Sequence, residues 1–291
     1  MAEREPSDNR RFAGSNESMT RPSWKHVIGI LGGLGPHAHI EFESLLLYAA
    51  GKALGRPAYD QDYPPWVVSS VPATPDRTRA LLEGSESPVE AMLESASRLS
   101  DAAFAVIPCN TAHAFLEEVR RRSRLPFLDM VQATAERAVE RVGARGVIGV
   151  LAVSGTLKGE LYRTAIHALA PEARVVSPLD LPNGDDLQER LVMEPIFGPL
   201  RNDGTPGVRA GGGIKSGAFR DPRKREALAA PMREAARKLA EAGASIVLTA
   251  CTEIPLVLGR ESVGEIPLLD PMAVAAEEAV EIALGRKPLP R

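Results

Sequence analysis

Phe104-Ala-Val-Ile-Pro-Cys109-Asn-Thr and Ile246-Val-Leu-Thr-Ala-Cys251-Thr-Glu hold the only two cysteines of the 291-residue chain in matching contexts. In each, an apolar run reads as a buried strand, the cysteine stands at its carboxyl end, and the residues that follow can open a helix. Parallel sheets bind ligands outside the carboxyl ends of their strands. Free backbone N–H groups and the dipole of a helix start favour a thiolate there. A second pair of markers repeats as well: Ile28-Gly-Ile-Leu31 and Ile148-Gly-Val-Leu151. The markers are 120 residues apart and the cysteines 142, so about 22 extra residues separate marker and cysteine in the second half. The Pro- and Gly-rich stretch from Pro195 to Gly217 is the place for them. The chain thus reads as two similar α/β lobes facing each other, with the two thiols brought together across a cleft.

Around these landmarks apolar runs alternate with helical patterns, which argues for βα units and a mainly parallel sheet flanked by helices in each lobe. Strands are expected at 27–31, 66–71, 103–107, 127–129, 147–151, 174–177, 245–250 and 267–269. Helices are expected at 38–51, 89–100, 112–122, 133–142, 159–169, 185–193, 224–242 and 273–284. Residues 1–24, rich in Arg, Ser, Asn and Glu, read as a flexible tail. The first lobe is expected at 25–130, completed by the C-terminal helix 271–286, and the second at 131–270 with a long loop at 197–217. That loop carries turn residues throughout and no periodicity, the composition of a lid or binding loop.

A 44% hydrophobic content over this length supports two modest cores. The formal net charge of −3 gives no electrostatic footprint for nucleic acid or an anionic membrane, which leaves small molecules as the expected partners. No apolar stretch reaches the roughly eighteen residues of a membrane span, and the first residues lack a secretory core, so a cytoplasmic location is expected. Thiols stay reduced there, and a disulfide between Cys109 and Cys251 is not expected.

Gly32-Gly-Leu-Gly35-Pro-His follows a strand and opens a helix, so its backbone donors suit a small anion such as a carboxylate. The spacing is not that of a dinucleotide fingerprint. Zinc is disfavoured because neither cysteine has a second cysteine nearby. Arg77, in Pro75-Asp-Arg-Thr78, reads either as a clamp for a substrate carboxylate or as a surface residue capping a helix, and Lys215 in the glycine-rich loop carries the same two readings. His37 and His39, beside the glycine loop, read equally as structural or catalytic.

Taken together, these segments resemble the aspartate/glutamate racemase family, in particular its aspartate racemase branch, which works without pyridoxal phosphate. The resemblance is carried by Ile28-Gly-Ile-Leu-Gly-Gly-Leu-Gly-Pro36, Pro75-Asp-Arg-Thr78, Pro108-Cys-Asn-Thr-Ala-His113, Ala250-Cys-Thr-Glu-Ile-Pro255 and Leu269-Asp-Pro-Met272, in family order. It implies two lobes with pseudo-twofold symmetry and an active site between them, no cofactor and no metal, and a homodimer of the kind common in the family. Cys109 and Cys251 are then the acid/base pair, one on each face of a planar carbanion. Asn110, Thr111 and Thr252 match positions that hold the α-carboxylate, joined by the backbone at Gly35. Ser154 stands where the family usually has threonine. Arg77 and Lys215 match the basic residues that read a distal carboxylate. Three features depart from the pattern: His39 in place of a threonine, a candidate for altered specificity; Ala250 in place of a glycine; and a longer loop between Phe197 and Gly211.

The activity implied is amino-acid racemisation, aspartate first, with a glutamate or broad-specificity racemase as the alternative. A maleate isomerase or an arylmalonate decarboxylase of the same superfamily is a further alternative. Retention of both cysteines argues against the decarboxylase, which needs one. A non-catalytic amino-acid-binding protein is the reading from a different class; intact cysteines and both basic positions disfavour it.

Overall fold

The computed structural model describes residues 22–200 and 209–290. The expected tail up to residue 21, and positions 201–208 of the expected loop, lie outside the described residues.

Two sheets are built in chain order. The first contains β1 (Ile28–Gly32), β2 (Trp66–Ser70), β3 (Phe104–Val106) and β4 (Phe127–Leu128), all parallel, in the order β2-β1-β3-β4. The second contains β5 (Val147–Leu151), β6 (Arg174–Val176), β7 (Ile246–Thr249), β8 (Ser262–Val263) and β9 (Ile266–Leu269), in the order β6-β5-β7-β9-β8. Only the β8–β9 pair is antiparallel. Leaving out β8, the two orders are the same, so β3 and β7, the strands that precede the cysteines, occupy equivalent places. In each sheet the first strand sends its crossover to one side and the third strand pairs on the other. The strand order therefore reverses between the parallel neighbours β1 and β3, and between β5 and β7. That reversal opens a crevice at the carboxyl ends, where parallel sheets take ligands.

The inner strands are apolar on both faces because helices cover both. Ile28, Ile30, Phe104 and Val106 pack against Phe42 and Leu46 of helix Pro36–Leu54 and against Met272, Ala276 and Val280 of helix Pro271–Ala283. The opposite face buries Leu31, Ala105 and Ile107 under Met92, Leu116 and Val119. In the second sheet, Ile148, Val150, Ile246 and Leu248 meet Ala135, Ala138, Tyr162 and Ile166, while Leu151 and Val247 meet Met232, Ala236 and Leu239. The C-terminal helix touches both halves: Val274 joins the second sheet's core, and Glu277 pairs with Lys52 at 2.6 Å and with Arg137 at 2.9 Å.

Several elements differ from the sequence expectation, each for a local reason. The expected helix 159–169 is two, Ser154–Lys158 and Leu161–Leu169, broken where Glu160 adopts a positive φ of 52°. The helix expected at 185–193 runs on to Phe197 through a wide π turn at Glu189–Met193; Pro195, which has no N–H to give, lies just beyond the widened turn. Thr111–Phe115 is a 3₁₀ turn, so helix Leu116–Arg122 starts later than expected. Helix Arg77–Glu83, capped by Asp76, and the β8–β9 hairpin are too short to leave a periodic signal. The stretch 197–217 is more ordered than its composition suggests: Leu200 bridges Arg209, Ile214 is fully buried in the second core, and Ile214–Ser216 forms a 3₁₀ turn.

Candidate active site

The crevices of the two sheets meet in one small cleft lined by Leu34, Arg77, Cys109, Asn110, Thr111, Phe197, Lys215, Cys251, Thr252 and Glu253, among others. Of the ten candidates expected from the sequence, the structure brings seven together here and leaves out Ser154 and His39, while Gly35 sits at the margin.

Cys109 ends the strand segment through Ile107 and Pro108 and is 7% exposed. Its backbone is pinned by His113, whose Nδ1 lies 2.9 Å from the Cys109 carbonyl while its Nε2 accepts the Met130 amide at 3.2 Å. With Nε2 accepting, Nδ1 carries the hydrogen and donates it to the carbonyl. Complete burial lowers the His113 pKa, which suits a neutral strut rather than a proton shuttle. The next two residues are held from the second lobe. The Tyr162 phenol donates to Asn110 Oδ1 at 2.5 Å, and the hydroxyls of Thr111 and Thr156 lie 2.8 Å apart. Asn110 Nδ2 is buried and has no partner among the described residues, so the amide presents an unused donor beside the cleft.

Cys251 follows β7 and is buried. Its Sγ lies 3.0 Å from Glu253 Oε2, which also accepts the Thr252 hydroxyl at 3.1 Å, while Glu253 Oε1 accepts from Lys215 Nζ at 2.6 Å. Burial would raise the Glu253 pKa, but the Lys215 ammonium and the three hydrogen bonds outweigh it and bring it down to about 2. Lys215 is held above its ordinary value: burial opposes its charge, and Glu253 more than compensates. The Cys251 thiol is pushed well up, first by burial and then by the Glu253 charge, with Lys215 pulling the other way. Phe197 closes the side of the cleft, with Lys215 Nζ 5.5 Å and the Arg209 guanidinium 5.6 Å from its ring centre. Arg209 is itself clamped on Glu189 at 2.6 and 3.0 Å.

Arg77, at the start of helix Arg77–Glu83, gives its Nη atoms to the carbonyls of Leu34 at 2.8 Å and Pro75 at 3.1 Å, and its buried Nε has no partner. Burial works against its charge, but the Cys109 sulfur and Asp76 together hold its pKa above the ordinary value. Arg77 thus sits beside the first cysteine as Lys215 sits beside the second.

Three of the candidates lie off the cleft lining. Ser154 does not line the cleft: its hydroxyl lies 3.4 Å from Gln188 Nε2, and its N–H points at Met193 Sδ at 3.3 Å. Thr156, two residues on, is buried behind the lining and meets the Thr111 hydroxyl at 2.8 Å. His39 is buried beneath the glycine loop, where Nδ1 accepts the Gly33 N–H at 3.2 Å and burial lowers its pKa. It therefore supports the loop and uses up one of the donors proposed for an anion. Gly35 has φ 130°, and a Cβ there would stand 3.1 Å from Glu253 Oε1, so a glycine lets the loop close on the Glu253–Lys215 pair. Glu253, Phe197, Tyr162 and Thr156 were not singled out from the sequence. Glu253 carried a signal, a carboxylate two residues after a cysteine; the others are brought in by tertiary packing alone. Among the described residues, no group of three or more His, Cys, Asp or Glu is disposed to hold a metal ion, and no helix is long and apolar enough to cross a membrane.

Residues 31–196 match the Asp/Glu/Hydantoin racemase family. Over 261 residues, covering 89% of this chain and 99% of its relative, the sequence is 24% identical to the broad specificity amino-acid racemase RacX of Bacillus subtilis. A 155-residue stretch, 53% of this chain and 43% of the other protein, is 32% identical to a glutamate racemase of Deinococcus radiodurans. Among solved structures, the aspartate racemase of Picrophilus torridus superposes with a TM-score of 0.66 at 23% identity, over 89% of this chain and 94% of that one. A glutamate racemase of Bacillus anthracis gives a TM-score of 0.59 at 17% identity, over 92% and 85%. These likenesses to solved structures establish the two-lobed α/β fold.

Proposed function

The chain belongs to the Asp/Glu/Hydantoin racemase family, and from that premise we propose that it is a cofactor-independent amino-acid racemase that moves the α-proton between Cys109 and Cys251. The observation that carries this reading is that both thiols, at equivalent strand ends of two equivalent sheets, line one cleft. Racemisation removes a proton from one face of the α-carbon and returns one to the other. One cysteine takes the proton as thiolate and the other gives its own as thiol, so the reverse reaction needs only the opposite protonation. The carbanion formed next to the α-carboxylate concentrates negative charge, and donors must stand where it develops. The Nδ2 of Asn110 and the hydroxyl of Thr111, which can accept from Thr156 and give its own hydrogen to the cleft, are the groups suited to it, while Thr252 spends its one O–H on Glu253.

A dicarboxylic substrate, aspartate first, is supported by Arg77 and Lys215 on the cleft wall. Lys215 gives one of its three N–H groups to Glu253 and keeps the others for a ligand. Broad specificity is the second reading. Because Glu253 already neutralises Lys215 and Phe197 supplies an apolar wall, a substrate without a distal carboxylate leaves no buried cation unpaired. The likeness to a broad-specificity racemase along nearly the whole chain points the same way. The test is incubation of the purified protein with single enantiomers of aspartate, glutamate and a panel of neutral amino acids, followed by chiral chromatography. Conversion of aspartate above all others supports the first reading and comparable rates across the panel the second. Absence of conversion for every amino acid overturns the racemase assignment.

A further inference from the structure

The two cysteines hold equivalent places in their sheets, yet their surroundings are opposite in sign. Cys109 shares the cleft lining with the guanidinium of Arg77, whose Nη atoms are held on the Leu34 and Pro75 carbonyls. Cys251 faces a carboxylate. Glu253 Oε2 is 3.0 Å from Cys251 Sγ, close enough to accept the S–H hydrogen, and Glu253 itself is 4% exposed. Lys215 at 2.6 Å and the Thr252 hydroxyl at 3.1 Å hold that carboxylate in its ionised, accepting state. The other titratable groups around Cys251 are Lys215, from the turn Ile214–Ser216, and the Tyr162 phenol, from helix Leu161–Leu169; Arg77 acts on Glu253 from the first lobe. Lys215 and the Glu253 backbone N–H favour the thiolate, and the charge of Lys215 is already shared with the Glu253 carboxylate.

We propose that Glu253 is a positioning residue that keeps the proton on Cys251, so that the free enzyme rests with its acid in the second lobe. The consequence for turnover rests on the two-cysteine racemase reading above. In the resting form, Cys109 takes the α-proton of the enantiomer that presents it to the first lobe, and the carbanion takes the proton of Cys251. The site is left with a Cys109 thiol and a Cys251 thiolate facing the Glu253 carboxylate, two anions in contact. Exchange with water then returns a proton to Cys251 and removes one from Cys109. The opposite enantiomer must enter through that less populated form. Because the equilibrium constant between enantiomers is one, both directions share one kcat/KM, and the inequality shows in kcat and KM separately.

The inference is tested on the full chain without assuming any substrate. Cys109→Ala leaves Cys251 as the single thiol, whose thiolate is followed by its ultraviolet absorbance during a pH titration. Adding Glu253→Gln removes the facing charge while keeping the size of the side chain. The titration midpoint of Cys251 is expected to fall by about one pH unit or more, as removal of a contacting like charge demands. Glu253→Asp, which keeps the charge but draws it back from the sulfur, is expected to give an intermediate midpoint, and it serves alone if the glutamine variant does not fold. A midpoint that is unchanged or rises in the folded variant overturns the proposal. If the wild type racemises no amino acid while the midpoint falls, the racemase reading fails and the role of Glu253 toward Cys251 stands. Where racemase activity is present, Glu253→Gln is expected to bring the kcat values of the two enantiomers closer together, an effect that general loosening of the fold does not produce.

Discussion

Replacing Lys215 by Met leaves Glu253 buried with no cation, and the cost can be worked from the site. In the folded protein the Glu253 pKa is about 2, against 4.5 for an unperturbed glutamate. That difference corresponds to about 3 kcal/mol of stability linked to its ionised form. The sign follows from the direction. A carboxyl depressed in the fold contributes fully above the unfolded value, so the term is complete above about pH 5 and is lost as the pH falls toward 2. Glu253 is buried, so solvent screening does not discount it, whereas Lys215 is partly exposed and is better used as the partner removed than as the source of the number. Lys215→Met is therefore expected to destabilise the protein by about 3 kcal/mol at pH 7, within the range for breaking a buried pair on one side. The loss should shrink steadily when urea unfolding is repeated at pH 4 and pH 3. Lys215→Met combined with Glu253→Gln is expected to recover part of it, since no unpaired charge remains. Equal stability of Lys215→Met and wild type at pH 7, or a loss that stays constant with pH, refutes the view that this pair is a buried and coupled one.

Cys109→Ala and Cys251→Ala are each expected to abolish racemisation while at least one retains exchange of the α-proton with deuterium from a single enantiomer; full racemase activity in either removes that cysteine from the mechanism. Arg77→Ala is expected to weaken use of aspartate more than use of a neutral amino acid, and equal losses assign Arg77 to the loop carbonyls and to Cys109 instead. Tyr162→Phe releases the Asn110 amide from its fixed orientation and is expected to raise KM about five- to tenfold, the worth of roughly one hydrogen bond, with a smaller effect on kcat. Ser154→Ala should leave turnover within about twofold of wild type, because its hydroxyl contacts Gln188 outside the cleft.

What could be read from the sequence follows the range of the interactions involved. The repeated Ile-Gly markers and cysteine motifs are local patterns. The strand β1 with its partner in the second half, and the strands before Cys109 and Cys251, were legible because a buried parallel strand must be apolar throughout. The identical strand order of the two sheets then makes the shared position of the thiols a matter of topology. Ser154 and His39 lie off the cleft lining for the opposite reason: a motif gives position along the chain, and that does not fix which way a side chain turns at a helix start. His39 sits one helical turn into Pro36–Leu54, which carries it back beneath the loop it follows. Phe197, which lines the cleft, stands 54 residues from Cys251, and Tyr162, which holds Asn110 beside it, stands 53 residues from Cys109; nothing local to either marks that destination.

Glu253 shows how a legible residue can still be misread in isolation. A glutamate two residues beyond a buried cysteine has two opposite meanings: a base that draws the proton from sulfur, or an anion that keeps it there. The choice depends on which partner sets the carboxylate's own charge, and that partner, Lys215, arrives from 38 residues away on a different turn. With Lys215 at 2.6 Å the carboxylate is too weak a base to take the thiol proton and too strong an anion to let it leave easily. The same lysine that suits a distal carboxylate thereby fixes the character of the second cysteine. Substitutions at Lys215 should then move substrate preference and the ionisation of Cys251 together, and a variant that changed one while leaving the other untouched would separate the two roles and break this link.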